Sequence, residues 1–127
     1  MRLSLSLPFP PSTNTYYRSV RFGKSCRVLL SKRGREYREE VCDFLAKILD
    51  DASGFPMLDR LEVHIVIHPP NRRKFDLDNR LKALCDALEL AGVFENDEQI
   101  DLLIIERGEI VKGGGAEVAI QPIEGRC

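Results

Sequence analysis

The sequence contains no pair of cysteines spaced C-x-x-C: its four, Cys26, Cys42, Cys85 and Cys127, are scattered along the chain. That spacing does not suit a zinc site, and in a cytoplasmic chain it does not suit a disulfide framework either. Cys42 and Cys85 read as small apolar packing residues, and Cys26 and Cys127 as free thiols. No apolar run approaches the roughly 20 residues that a membrane-spanning helix needs; the longest aliphatic stretch is 102–105. Met1-Arg2 is followed by alternating Leu and Ser and then by prolines, so no signal-peptide core is expected. Internal repeats, low-complexity segments, a nucleophile elbow and a G-x-x-x-x-G-K-[ST] phosphate loop are also missing. What is there is ordinary for a soluble globular chain: 127 residues, 43% hydrophobic and 31% charged. The expectation is a single domain over 1–127, cytoplasmic and without a membrane partner.

A net charge of −1 conceals a polarised chain. From Arg18 to Arg38 there are eight basic residues and one acid, Glu36, whereas from Asp76 to Glu109 there are ten acids and three bases. A second basic knot, Arg72-Arg73-Lys74, abuts the acidic region. A polyanion partner requires clustered positive charge and not a high overall pI. Solvated faces of a helix and its loops would carry the same charges.

Alternation over 2–7 predicts a strand ended by Pro8, Pro10 and Pro11, followed by an irregular loop over 12–25 and a short strand near 26–30. Ser31 is placed to cap a helix reaching about Asp51, with Tyr37, Val41, Phe44, Leu45 and Ile48 on its apolar face. Leu61, Val63, Ile65 and Ile67 alternate as a half-buried strand. A second helix runs over 79–91, with Leu81, Leu84, Cys85 and Leu88 as its core stripe and Gly92 closing it. Strands over 100–106 and 116–120 are joined through Gly113-Gly114-Gly115, read as a hairpin turn rather than a phosphate cradle. The fold class is α+β: a small domain with one mixed sheet and two main helices.

The chemistry concentrates in Asp76-Leu77-Asp78-Asn79, with Lys82 and Asp86 following. If that loop is extended, Asp76 and Asp78 point to one side and Leu77 to the core. Two such carboxylates repel without a cation between them, and a hard ion such as Mg²⁺ suits oxygen ligands. Lys82 lies one helical turn beyond Asp78 and Asp86 one turn further, on a shared flank. The alternative is structural: Asp78 as an N-cap, Asp76 on the helix dipole, Asp78–Lys82 as an exposed ion pair. Asp97, in Glu95-Asn96-Asp97-Glu98, would be a third carboxylate if the chain reverses after the helix, and otherwise belongs to a hydrophilic turn in which Asn96 or Asp97 caps. His64 and His68 share a strand face and are given no catalytic role.

Taken in order, 7–18 (LPFPPSTNTYYR), Asp76-Leu77-Asp78-Asn79 with Lys82, and Ala91-Gly92-Val93-Phe94 leading to Asp97 resemble the RusA family of Holliday junction resolvases, over nearly the whole chain. The family's pattern departs here at Phe75, where a basic residue can stand, and at Asn96, where an acid can. The resemblance implies a RusA-like fold and a homodimer cutting four-way DNA junctions. It implies Mg²⁺ (with Mn²⁺ as substitute) on Asp76, Asp78 and Asp97, and Lys82 as the active-site lysine. Asn14 and Tyr17 match the family's N-terminal pattern, in DNA contact or support of the site. Arg18, Arg72, Arg73 and Lys74 complete the expected DNA contacts. Two symmetric nicks by a C₂ dimer would serve recombination and repair. Two other classes stay open: a non-catalytic DNA-binding dimer whose acids only cap and solvate a helix, and a D-x-D enzyme acting on a nucleotide-sugar, for which the chain leaves little room.

Overall fold

The computed structural model describes residues 2–124, so Cys127 lies outside the described residues. In chain order the elements are β1 (Leu3–Leu7), α1 (Thr13–Tyr16), β2 (Tyr17–Phe22), β3 (Ser25–Leu30), α2 (Lys32–Asp51), β4 (Leu61–His68), α3 (Leu81–Ala91), β5 (Ile100–Arg107) and β6 (Gly115–Pro122). Short 3-10 turns, Asp78–Arg80 and Asp97–Gln99, lead into α3 and β5. Four strands form a mixed sheet in the order β1-β6-β4-β5, antiparallel except for the parallel pair β4/β5. A parallel pair needs a crossover, and α3 supplies it.

Register explains the core. Leu5 pairs with Val118 and Val118 with Ile65; Leu7 pairs with Ala116 and Ala116 with Ile67. Because alternate side chains share a face, these rows meet Tyr37, Val41 and Leu45 of α2 and Leu84 and Leu88 of α3 in one core. Ser31 caps α2 as expected, its hydroxyl accepting from Gly34 N at 2.9 Å. Gly92, at φ +90°, ends α3 in the left-handed conformation that glycine adopts without strain. Cys85 is buried, Cys42 half-buried and Cys26 exposed, all three as free thiols. No helix among the described residues is long and apolar enough to cross a membrane.

Several expectations are corrected. The loop expected over 12–25 is α1 plus β2, which pairs with β3 as a separate two-stranded ribbon. Ser12 caps α1, and the ribbon is exposed on both faces, so burial imposes no alternation on its sequence. Phe44 and Ile48 are 51% and 40% exposed: α2 buries the narrower Tyr37–Val41–Leu45 row. The Gly113-Gly114 turn closes no hairpin, since β5 and β6 lie on opposite sides of β4. Instead Gly114, at φ +71°, lies so close to Phe9 that a Cβ there would stand 2.9 Å from the ring.

Candidate functional site

Local backbone sets the acidic segment. Leu77 has φ −59° and ψ −43°, so the extended geometry assumed for Asp76-Leu77-Asp78 is replaced by helical backbone at its centre. Leu77 still packs against the core. Asp78 opens the 3-10 turn without capping it, because the cap position is Leu77 and no side chain bonds there. The N-terminal segment buttresses this turn. Thr13 Oγ1 donates to Asn79 O at 3.1 Å, and Arg80 Nη1 donates to Pro10 O at 2.9 Å.

One turn along, Lys82 Nζ meets Asp86 Oδ1 at 3.2 Å. Asp86 is the hub of a partly buried network, with its side chain only 13% exposed. It accepts from Tyr16 Oη at 3.2 Å and pairs with Arg38 at 3.6 Å, while Arg38 Nε donates to Tyr16 Oη at 2.6 Å. The hydrogen bond that Lys82 donates to Asp86 raises the Lys82 pKa above the ordinary lysine value, against a smaller opposing effect of burial. Tyr17 and Asp97 lie within electrostatic reach of the same ammonium. Burial pushes the Tyr16 phenol up to about 12. Asp86 was legible as a flank residue, but its tie to Tyr16 and Arg38 was not.

Asp97 is held by its backbone. Its N–H donates to Glu89 Oε1 at 2.9 Å, on the C-terminal half of α3. Asn96 caps the following turn, accepting from Glu98 N at 2.8 Å, and Gln99 closes the reciprocal half by accepting from Asn96 N. Gln99, 8% exposed, also donates to Met57 O and Asp59 O. Sequence reasoning missed Gln99, although an Asn with Gln three residues on is a capping-box signature.

Asp76 lines an open groove of about 670 Å³ with Ser12, Arg72, Arg73, Lys74, Phe75, Asn79, Arg80 and Arg107. The structure thus sets Asp86, Tyr17 and Asp97 around Lys82 and lines one groove with Asp76 and the basic knot. Among the described residues, no three His, Cys, Asp or Glu side chains are closed up as a metal-holding group. Nor does any described residue form a hydrogen bond or ion pair with the carboxylates of Asp76, Asp78 or Asp97. Their exposed oxygens are hard donors, which fits a hard divalent ion in chemistry. His64 and His68 instead pair with Glu106 at 2.7 Å and Glu117 at 3.4 Å.

The expected DNA contacts outside the groove are exposed or half-exposed. Asn14 is exposed on α1, and Tyr17 stacks edge-on against Tyr16 at 4.9 Å. Arg18, with Arg21, Lys24 and Arg27, is carried on the β2–β3 ribbon, where no acid among the described residues pairs with it.

Residues 8–121 match the model of the family described as Endodeoxyribonuclease RusA. The chain is 36% identical over 118 residues to the crossover junction endodeoxyribonuclease of Enterobacteria phage HK97, covering 93% of this chain and 92% of that protein. It is 37% identical over 118 residues to the Escherichia coli (strain K12) protein of the same description, covering 92% of each. The corresponding protein of Enterobacteria phage 82 is 37% identical over 117 residues, with 91% of each covered.

Proposed function

The chain belongs to the RusA endodeoxyribonuclease family, and from that premise we propose that it resolves four-way DNA junctions by paired, symmetric, Mg²⁺-dependent nicks. The observation that carries the reading is Lys82, held on Asp86 within reach of Asp97, in a chain that also lines a cationic groove with Asp76. In this reading Asp76, Asp78 and Asp97 hold the metal, with Mn²⁺ as a substitute. A divalent ion bound there supplies positive charge to the scissile phosphate and makes water a better nucleophile.

The protein's own groups do the rest. Asp86 extends the cationic form of Lys82 to higher pH and restricts its direction, so the ammonium meets charge developing on the scissile phosphate. Arg72, Arg73 and Lys74 hold backbone phosphates in the groove, and Arg18 with Asn14 and Tyr17 holds an arm of the junction. Such contacts read shape and not base sequence, which suits a branched substrate. Two nicks across a junction require two sites, hence a homodimer about a two-fold axis. Its support is β5, an edge strand on which Leu102, Leu103 and Ile104 are 44%, 41% and 47% exposed. An uncovered apolar edge of this kind invites a second copy.

The test is a labelled synthetic four-way junction incubated with Mg²⁺ and either the native protein or Asp78→Asn. Paired nicks from the native protein alone support the reading. No nick from either, at any Mg²⁺ or Mn²⁺ concentration, refutes it.

A further inference from the structure

The groove beside Asp76 holds two cations that the reading above leaves unused. Arg80, in the turn between Asp78 and α3, lies over the Phe9 ring at 4.6 Å and faces Phe75 at 5.4 Å. Arg107, at the end of β5, stacks on Phe75 at 4.1 Å and donates through Nη2 to Phe75 O at 2.9 Å. The two rings meet edge to face at 5.8 Å, and Phe9 is backed by Gly114, where any Cβ would collide with it. Two guanidinium groups therefore rest over aromatic rings.

Their polar groups are incompletely used. Arg80 makes one side-chain hydrogen bond, from Nη1 to Pro10 O, and its Nε is buried without a partner among the described residues. No carboxylate among those residues pairs with either arginine, nor with Arg72, Arg73 or Lys74 in the same groove. Burial also lowers the Arg80 pKa, a sign that the surroundings disfavour its charge. A half-buried guanidinium with no carboxylate partner and a buried, unpaired Nε is costly to keep. A planar guanidinium held by stacking is pre-organised for phosphate, which it meets through parallel N–H donors.

We propose that Arg80 and Arg107, locked by Phe9 and Phe75, form a clamp for one DNA backbone phosphate neighbouring the scissile one, and so determine which phosphodiester is presented to Asp76. The proposal rests on the endonuclease reading and names the phosphate subsite of that groove. Its distinguishing feature is locality: a general basic surface weakens binding evenly when discharged, whereas a clamp responds at one position of the substrate.

The experiment uses full-length Arg80→Met and Arg107→Met, which keep an apolar chain of similar length, on junctions carrying single neutral methylphosphonates at successive positions. At the clamped position, neutralisation should weaken the native protein about tenfold and each variant much less. Each variant should also lower the slope of log affinity against log salt by about 0.9, the value for one phosphate contact. Native affinity and slope in both variants overturn the proposal, as does an equal loss at every position. Should Arg80→Met fail to fold, Arg107→Met alone carries the same test. Titration of the native protein with inorganic phosphate, followed through the arginine Nε–H resonances, separates the two readings. Shifts at Arg80 and Arg107 in a protein that neither binds nor cuts branched DNA would keep an anion clamp and reject the nuclease. Junction cutting with those resonances unmoved by phosphate and unmoved by junction DNA would reject the clamp.

Discussion

At the scale of single residues, the proposed mechanism separates charge that holds the metal from charge that holds DNA. Asp76 lines the cationic groove and pairs with none of its bases. Asp76→Asn is therefore expected to lower cleavage by more than about a hundredfold while junction binding stays equal or tightens, because a repulsive charge is removed. Gel-shift and cleavage assays on one folded preparation check this; loss of both together counts against the assignment. Asp86 is a positioning residue, since it acts through Lys82, which it holds at 3.2 Å. Asp86→Asn should lower kcat by roughly tenfold or more. It should also move the alkaline limb of the pH profile to lower pH. The sign follows from the Asp86 hydrogen bond, the largest effect raising the Lys82 pKa. Without it, the active cationic form is lost earlier as pH rises. An unshifted limb would remove Asp86 from the mechanism.

At the scale of elements, placing Asp97 is the work of a turn of three residues. Asp97–Gln99 is held from inside by Gln99, which accepts from Glu95 N and Asn96 N at 2.9 Å each and donates to Met57 O and Asp59 O at 2.8 Å and 3.0 Å. Truncation leaves buried backbone groups unpaired, at a cost of about 1–3 kcal/mol. Gln99→Ala should therefore lower Tm by several degrees in a protein of this size. It should also depress kcat more than junction affinity, because the turn that carries Asp97 loosens. A calorimetric scan and steady-state kinetics test the two halves separately. The same scale explains which elements could be read in advance. β1, β4, α2 and α3 each bury one face, so burial writes a period into their sequences. The β2–β3 ribbon buries neither face, and its Arg- and Ser-rich strands carry no such period.

At the scale of the molecule, the fold suppresses ionisation at several buried acids of high pKa. Burial raises the Tyr16 phenol from 10.0 to about 12 and the Cys85 thiol from 9.0 to about 11. Folded protein keeps protons that the unfolded chain releases between about pH 9 and pH 12, so stability is intact below that window and falls as pH rises through it. Denaturation midpoints measured across the window should fall steadily, and Tyr16→Phe should make the fall shallower. A flat profile would mean that these groups are not desolvated in the folded state.

Local chemistry along the chain sets the strands and helices that bury one face, and the cap at Ser31. It also puts Lys82 and Asp86 on one flank, because helical spacing along α3 sets that flank without reference to anything distant. Long-range packing alone sets β5 and β6 on opposite sides of β4, ties Asp86 to Tyr16 and Arg38, and brings Asp97 within electrostatic reach of Lys82. It also decided that Phe9, Phe75, Arg80 and Arg107 meet in one groove. These are contacts between residues far apart in the chain. Packing and sheet order select them, and no local periodicity records them.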